Sequence, residues 1–389
     1  MLRILQVAHD LNIGGLQRVV MDLAHAQRQQ GHDAHICSLR GHGPLAAEAA
    51  AKGIPVHAMP WPEHGVDRFM FLKVRRLLSD GAFDVIHTHN TQAFMDGGLA
   101  ALLAGTKTRI HTDHARSFPD RKAYMVAERA FSMTYDKVVA VSAHTLRNLA
   151  SYEGIAESRM TVIPNGINGG AYRSARAAAD RSALRKREGL DGFSHVFGLG
   201  VRLEDQKGIT YLLSAMPEIL RAFPKAGLAI AGDGSLLVSL KAQAAELGVA
   251  ANVVFLGARP NLIQFYCLLD FFVLPSLWEG MPLCILEAMC LGLPVVATSV
   301  GGVPEFLTPG KDGLLVPPRE PGALAKAILT ILGDDALARS MGEAAARRFD
   351  TRFDYMRMAE DYLALYAACG AKPSTRAGQA PRPAGRPSA

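Results

Sequence analysis

Short apolar segments recur along this chain, and each is followed by a polar loop and a longer segment with helical periodicity. Strands that alternate with helices form parallel sheets whose two faces are covered by the helices. The alternation runs through the chain twice, so we expect an α/β protein with two doubly wound, Rossmann-like domains. The predicted strands are residues 3–8, 33–39, 84–88, 108–112, 137–141 and 160–163 in the first run, and 196–201, 228–231, 252–256, 270–274, 294–298 and 313–316 in the second.

A length of 389 residues suits two domains of this kind. We place the first domain at residues 1–170 and the second domain at 191–350, joined by a linker at 171–190 whose Ala- and Arg-rich part also suits a helix. A helical segment follows at 351–370. The last residues, 371–389, are rich in Pro, Ala, Gly, Arg and Ser, a composition typical of disorder.

Charge and cysteine content limit the class of protein. The formal net charge is +6, but residues 369–389 supply four positive charges and no acids, which leaves the body of the chain at +2. This balance gives no argument for nucleic-acid binding. The five cysteines include no C-x-x-C pair, which predicts a reducing compartment and no structural metal. The N-terminus leads directly into a strand and no apolar segment is long enough to cross a membrane, so we expect a cytoplasmic protein.

Residues 275–289, Pro-Ser-Leu-Trp-Glu-Gly-Met-Pro-Leu-Cys-Ile-Leu-Glu-Ala-Met, carry the strongest chemical pattern. They follow a predicted strand and lead into a helix whose first amides, around 282–286, would have no partners within the helix. A helix N-terminus attracts anions. Two carboxylates flank this one, Glu279 in the loop and Glu287 in the helix. An anion site beside two carboxylates suits a nucleotide-sugar, which carries both phosphates and hydroxyls.

Polar or flexible residues also follow other predicted strands. Arg202 and Lys207 lie in one such loop, where they could bind a diphosphate or, alternatively, pair with neighbouring carboxylates. Gly14 and Gly15 follow the first strand, where a missing side chain permits a tight turn and a close approach to a ligand; a plain turn is the alternative. Open α/β sheets bind ligands at the carboxyl ends of their strands, so two facing sheets would form one central cleft.

Together these segments resemble the retaining glycosyltransferases of family 4, which have the GT-B fold. The resemblance covers most of residues 1–365 and rests on the joint order of motifs that are weak singly. In order, they are Gly14-Gly15, Thr112-Asp113-His114, Pro164-Asn165-Gly166, Arg202 with Lys207-Gly208, Gly232-Asp233-Gly234, Phe255-Leu256-Gly257, the E-x7-E pair Glu279 and Glu287, Pro294-Val295-Val296-Ala297-Thr298 and Gly301-Gly302-Val303-Pro304-Glu305.

The resemblance implies roles for individual residues. Arg202 and Lys207 would bind the diphosphate and stabilise charge on the leaving group, and Glu287 would accept hydrogen bonds from the ribose hydroxyls. Glu279 would contact the transferred sugar, with a helix cap as the alternative, and His114 would lie near the anomeric carbon. The candidate catalytic residues are therefore Glu279, His114, Arg202 and Lys207, and the donor-binding residues are Gly14, Gly15, Arg202, Lys207, Gly280, Met281, Pro282, Leu283 and Glu287.

The implied activity is transfer of a sugar from a nucleoside-diphosphate sugar to a hydroxyl of a glycan or lipid-linked acceptor, with retention at the anomeric carbon, in cell-surface polysaccharide synthesis. GT-B enzymes generally use protein cations in place of a divalent metal, so we expect no metal and no cofactor besides the donor substrate. The family also implies that the last helix crosses back onto the first domain. At Asn168 this chain departs from the aspartate usual in the family, which keeps the turn chemistry and loses a charge at the interdomain hinge.

Three alternative functions fit the sequence less well. A UDP-sugar epimerase with the GT-B fold fits the E-x7-E spacing poorly, and a non-catalytic nucleotide-sugar binder would not need the intact set of charges. A dehydrogenase would need a glycine-rich loop, and residues 41–46 fit G-x-G-x-x-A only with Pro44 inside the motif and no acidic residue closing the next strand.

Two further features of the sequence, a group of histidines and a basic apolar segment, each allow two interpretations. A metal site could be read from His87, His89, His111 and His114, but they close separate strands and no carboxylate pattern accompanies them. Residues 68–76 mix basic and bulky apolar residues at helical spacing, which fits peripheral contact with an anionic membrane or an ordinary amphipathic helix packed on its sheet.

Overall fold

The computed structural model describes residues 1–62, 67–114, 122–259 and 261–373. The chain divides into two compact units. The first unit contains Met1–Val141, Leu146–Ile163 and the chain from Met358, and the second contains Ser142–Thr145 and Pro164–Arg357. Residues 374–389, most of the segment expected to be disordered, lie outside the described residues.

A seven-stranded parallel sheet forms the centre of the first unit. The strands lie in the order β3-β2-β1-β4-β5-β6-β7, so the sheet grows first to one side of β1 and then to the other, as in doubly wound folds. The six strands predicted here are confirmed. The edge strand β3 has no counterpart in the prediction, because three half-buried residues are too few to show a period. The strands β1–β7 are Arg3–Ala8, Asp33–Ser38, Val56–Ala58, Val85–His89, Thr108–Asp113, Lys137–Ala140 and Met160–Val162.

Helices connect these strands. The stretch that is basic and apolar in sequence forms α3, whose residues Met70, Val74 and Leu78 are buried in a core cluster of the first unit. This burial is what the ordinary amphipathic reading predicts. The helices α1–α6 are Gly15–Gln29, Leu45–Ala51, Met70–Gly81, Thr91–Ala104, Lys122–Ser132 and Ala143–Asn148, followed by a π-helical turn at Leu149–Glu153 and a 3-10 turn at Glu157–Arg159.

The second unit contains a six-stranded parallel sheet in the order β10-β9-β8-β11-β12-β13. All six predicted strands are confirmed. Because β8 lies between β9 and β11, the loops that leave these strands at their carboxyl ends are neighbours. The strands β8–β13 are His195–Gly200, Ala226–Ala231, Val253–Gly257, Phe271–Leu274, Val295–Thr298 and Leu314–Val316.

The stretch interpreted as a helix or a linker, 171–190, contains most of the helix Gly169–Ala178 and all of the helix Arg181–Arg187, and it belongs to the second unit. Asn168 caps the first of its helices by accepting a hydrogen bond from the Ala171 amide at 3.4 Å, so the neutral side chain retains the turn chemistry expected there. The helices α7–α15 are Gly169–Ala178, Arg181–Arg187, Ile209–Ala222, Leu237–Glu246, Ile263–Leu268, Leu283–Cys290, Val303–Phe306, Pro321–Gly333 and Asp335–Arg352, with 3-10 turns at Asp205–Lys207 and Ala250–Asn252.

The last helix, α16, spans Tyr355–Ala368. It starts later than the predicted helix, because α15 runs to Arg352 and the two non-helical residues Phe353 and Asp354 separate the helices. In that stretch the Ile167 amide donates to the Phe353 carbonyl at 3.1 Å, and the Tyr355 amide donates to the Ile167 carbonyl at 3.2 Å. From Met358 onward α16 belongs to the first unit, so the predicted return of the C-terminal helix to the first domain is confirmed.

Candidate functional site

The loop after β8 brings a lysine against the loop after β11. Gly208 has a φ of +60°, and a Cβ there would lie 2.1 Å from the Pro275 carbonyl oxygen, so only glycine permits this approach. The preceding 3-10 turn ends at Lys207, whose Nζ lies 2.6 Å from Glu279 Oε1. The two side chains are 14% and 7% exposed, so they form a largely buried ion pair. The sequence predicts both residues in the site and does not predict that they pair.

Glu279 is held in place from several directions. Its Oε1 also accepts a hydrogen bond from Ser276 Oγ at 2.7 Å. Behind it, Gly301 has a φ of +55°, and a Cβ there would lie 1.8 Å from the Glu279 carbonyl oxygen. The Gly302 amide donates to the same oxygen at 3.2 Å. The glycine pair after β12 therefore fixes the backbone of Glu279, and the carboxylate is preorganised next to a cation.

Arg202 differs from Lys207 in its surroundings. It is exposed, and within the described part of the chain its guanidinium has no ion-pair partner. Glu204, the neighbour that could have neutralised it, accepts a hydrogen bond from Ser235 Oγ at 3.0 Å instead. A Cβ on Gly232 would lie 1.8 Å from the Val201 carbonyl oxygen, so the loop after β9 packs directly against the start of the Arg202 loop. A fixed loop with exposed guanidinium donors can bind an anion.

Glu287 lies in α12 and accepts hydrogen bonds from two phenols. The hydroxyl of Tyr172 donates to Oε1 at 2.7 Å, and the hydroxyl of Tyr266 donates to Oε2 at 2.5 Å. Burial, with the nearby charge of Glu287, raises the pKa of Tyr266 well above its ordinary value, so this hydroxyl remains a donor. A carboxylate oxygen can accept two hydrogen bonds, so the phenols alone do not prevent a ligand hydroxyl from donating to Glu287. Sequence reasoning missed both tyrosines, which lie in separate helices and match no motif.

Gly280, Met281, Pro282 and Leu283 form the turn into α12. A Cβ on Gly302 would lie 2.1 Å from the Gly280 carbonyl oxygen, so this turn is packed against the loop after β12. Met281 is buried, and its sulfur accepts the Asn165 amide at 2.9 Å. Pro282 is the N-cap residue and the helix begins at Leu283, as the sequence predicts.

Gly14 and Gly15 lie between β1 and α1. Gly14 is the N-cap residue with a φ of −173°, an extended conformation that any residue adopts, so the tight-turn argument does not apply to it. A Cβ there would meet Gln17 Oε1 at 2.5 Å. Asp10 orders the loop by accepting hydrogen bonds from Gln17 Nε2 at 2.8 Å and from the Asn12 amide at 2.9 Å. Gly15 is exposed.

His111 and His114, the two histidines at the end of β5, differ in their surroundings. His111 is structural, because its Nδ1 contacts Thr88 Oγ1 at 3.0 Å and its ring stacks on Phe94 at 4.1 Å. His114 follows β5, and its Nε2 lies 2.9 Å from Nδ1 of His89 in the neighbouring strand β4. Sequence reasoning kept these two apart because they close different strands, and the sheet order brings them together.

Among the described residues, no group of three or more His, Cys, Asp and Glu side chains is arranged to hold a metal ion. The same part of the chain contains no helix that is both long and apolar enough to cross a membrane.

The glycine-rich loop after β2 has a packing role, because a Cβ on Gly43 would lie 2.3 Å from the Leu11 carbonyl group.

Two units in one chain, each with a doubly wound parallel sheet, are the components of the GT-B fold. HepE of Anabaena, solved in complex with UDP and glucose, has the same fold, with a TM-score of 0.82 at 22% identity over 95% of this chain and 100% of that chain. The family described as glycosyl transferases group 1 matches residues 180–348, and the one described as glycosyltransferase family 4 matches residues 13–169. The chain belongs to the group 1 glycosyltransferases, and it is a glycosyltransferase.

Curated relatives extend over most of the chain. Glycogen synthase of Mycobacterium tuberculosis is 27% identical over 404 residues, covering 94% of this chain and 95% of the relative. The UDP-Gal:alpha-D-GlcNAc-diphosphoundecaprenol alpha-1,3-galactosyltransferase of Escherichia coli is 26% identical over 314 residues, covering 77% of this chain and 79% of the relative. One of these relatives is named for glycogen and the other for a substrate linked to diphosphoundecaprenol.

Proposed function

We propose that the chain transfers a sugar from a nucleoside-diphosphate sugar to a hydroxyl of a glycan or lipid-linked acceptor, with retention at the anomeric carbon. The observation that carries the proposal is the buried pair of Lys207 and Glu279 at the carboxyl edge of the second sheet, 2.6 Å apart. The Lys207 ammonium, paired with the Glu279 carboxylate, can also contact a diphosphate, while the carboxylate remains close to the attached sugar.

The remaining residues have complementary roles in this proposal. Arg202 contacts the diphosphate with exposed guanidinium donors and, with Lys207, stabilises the charge that develops on the leaving phosphate. These two cations take the place of a divalent metal. Glu287, oriented by two tyrosine hydroxyls, accepts hydrogen bonds from the ribose. The turn from Gly280 to Leu283 lies against the donor.

In the first unit, the proposal assigns donor binding to Gly14 and Gly15 and a contact with the transferred sugar to His114. The histidine is assigned to the sugar because of its place after β5 and its family motif. HepE, solved with UDP and with glucose, and the galactosyltransferase named for UDP-Gal support a nucleotide-sugar donor. The lipid-linked substrate in the name of the latter supports a lipid-linked acceptor.

A panel of donors tests the activity. Thermal unfolding is measured with UDP, GDP, ADP and their common sugar conjugates, since a ligand at 100 times its dissociation constant adds ~2.7 kcal/mol of stability. The conjugate that stabilises the protein is then incubated with it, and the anomeric configuration of the released or transferred sugar is read by NMR. We expect the α-configuration of an α-linked donor to be kept. Inversion, or no stabilisation by any nucleotide, contradicts the proposal.

Contact with an anionic membrane surface is a separable part of the proposal. Beside the buried stripe of α3, Phe69 and Leu72 are 66% and 43% exposed. The neighbouring Arg75 and Arg76 are also exposed. Exposed apolar residues flanked by arginines suit an anionic bilayer surface. We expect flotation with vesicles containing phosphatidylglycerol to be lost in the double variant Phe69→Ser, Leu72→Ser.

The matched control for flotation is Val238→Ser, which removes an 80% exposed apolar residue from a helix of the second unit. It should float like the unaltered protein. Equal flotation of the double variant and the unaltered protein would mean that this face does not contact the membrane.

A further inference from the structure

A buried chain of hydrogen bonds joins the C-terminal helix to His114. It passes through Tyr366 of α16, Gln6 of β1 and His89 of β4, all of which are fully buried. The strands supply the spacing, because β1 and β4 are neighbours and Gln6 is paired in register with the residue two positions before His89. The diphosphate site of the second unit uses none of these groups, and a buried polar chain of this length needs an explanation.

The phenol of Tyr366 determines which groups donate and which accept along this chain of hydrogen bonds. Its oxygen receives amide donors from Gln27 Nε2 at 3.2 Å and from Gln6 Nε2 at 3.4 Å. The hydroxyl therefore has to direct its own proton elsewhere, and His87 Nδ1 lies 2.7 Å away. His87 then donates from Nε2 to Thr112 Oγ1, also at 2.7 Å. One hydroxyl thus orients two amides and one imidazole.

The orientation of the Gln6 side-chain amide determines which ring nitrogen of His89 carries the proton. Because the Gln6 amide nitrogen donates to Gln27 Oε1 at 2.9 Å, its oxygen faces His89 Nε2 at 2.8 Å. An amide oxygen can only accept, so the proton of His89 is on Nε2. Burial lowers the pKa of His89 well below its ordinary value, which keeps the ring neutral with a lone pair on Nδ1. That nitrogen lies 2.9 Å from His114 Nε2 and has to accept from it.

We propose that Gln6 and His89 are positioning residues that place the proton of His114 on Nε2, the nitrogen that faces His89. The assignment of the sugar contact rests on the proposed function, whereas the tautomer rests on the hydrogen-bond chain alone. The C-terminal helix contributes to this hydrogen-bond chain, because the Tyr366 phenol accepts from the amides of both Gln6 and Gln27.

Histidine-selective 15N NMR of the full chain tests the proposal, because the coupling pattern of the ring nitrogens distinguishes the two tautomers. The His114→Ala variant assigns the signals. In the unaltered protein without donor, we expect a single Nε2–H tautomer for His114. A single Nδ1–H tautomer would mean that the donors and acceptors in the hydrogen-bond chain are reversed, and it would overturn the proposal.

Two matched variants of α16 test whether the Tyr366 hydroxyl determines the proton position on His114. Tyr366→Phe removes the hydroxyl that orients both amides, and we expect the His114 signals to become those of a tautomer mixture. Tyr362→Phe makes the same change on the same helix, but its hydroxyl contacts Thr112 Oγ1 at 2.8 Å, off the path to His114, and should leave the tautomer unchanged. An unaltered single tautomer in Tyr366→Phe would refute the role of the helix. Should that variant not fold, the tautomer of the unaltered protein decides.

A titration with nucleotide-sugar separates this proposal from the proposed function. If the donor that stabilises the protein shifts the Nδ1 signal of His114, the sugar contact is supported. If the tautomer is as expected and the donor leaves Nδ1 unshifted, the relay stands and His114 is not the sugar contact.

A further variant, His89→Asn, keeps an acceptor near the position of Nδ1 and should preserve the tautomer, whereas His89→Leu should lose it. Equal spectra for these two variants would contradict a role for the acceptor.

Discussion

Replacing Glu279 with Gln should strengthen diphosphate binding and slow the reaction. The substitution keeps the size of the side chain and removes its charge. In the free protein, Lys207 Nζ lies 2.6 Å from the Glu279 carboxylate, and both side chains are largely buried. Lys207 is therefore already neutralised, and a diphosphate that binds it also meets the negative charge of Glu279. Removing that charge makes the lysine fully available to the phosphate.

The size of the effect follows from this geometry. A phosphate oxygen held by the Lys207 ammonium at about 2.8 Å lies within roughly 5.5 Å of the Glu279 carboxylate. At an effective dielectric constant of about 40, two unit charges at that distance repel by about 1.5 kcal/mol. Relief of this repulsion corresponds to roughly tenfold tighter binding. If the carboxylate also stabilises positive charge on the sugar ring, its loss slows turnover by ~10²–10³, because such terms act in the transition state.

Calorimetric titration with UDP, GDP and ADP measures the affinity, and single-turnover hydrolysis of the sugar conjugate measures the rate. The matched control is Glu204→Gln, which removes the same charge from the same group of loops. Its carboxylate accepts from Ser235 Oγ at 3.0 Å and does not pair with the lysine, so neither quantity should change by much. If Glu279→Gln instead weakens diphosphate binding as much as Lys207→Ala does, the carboxylate serves to hold the lysine in place and our reasoning is refuted.

Four further outcomes are expected. Arg202→Ala should weaken UDP binding by tenfold or more in calorimetry, because charge-assisted hydrogen bonds contribute ~1.5–3 kcal/mol; unchanged affinity contradicts a phosphate contact. Tyr266→Phe removes one donor from Glu287 and should weaken UDP by roughly three- to tenfold while leaving pyrophosphate unaffected; equal losses would place the effect outside the ribose contact. Turnover should survive EDTA, and a loss restored by magnesium or manganese would show that the cations do not replace a metal. The free energy of unfolding in urea should fall as the pH is lowered below about 6.5, because burial keeps the pKa of His87 and His89 well below 6.5 and only the unfolded chain then binds those protons. Each histidine contributes a loss of up to ~1.4 kcal/mol per pH unit. A free energy of unfolding that does not change with pH contradicts this.

Local sequence was sufficient for the elements and for the residue types at their ends. The apolar period of each strand and the residues that follow it are encoded within a few neighbouring positions, so twelve of the strands could be predicted together with the placement of Lys207 and Glu279 at carboxyl ends. The return of the last helix to the first domain was available only through family resemblance. The short edge strand Val56–Ala58 escaped because its three residues show no period.

Which side chains meet was decided by tertiary structure. Lys207 and Glu279 are 72 residues apart and pair because β8 and β11 are neighbours in the sheet. His87 and Tyr366 are 279 residues apart and meet because α16 packs on the first unit. No periodic pattern marks a buried tyrosine as a hydrogen-bond donor to a distant carboxylate or imidazole. Strand order and helix packing arise from long-range burial of apolar surface, which is non-directional, and this is why the hydrogen-bond partners cannot be read from the neighbouring sequence.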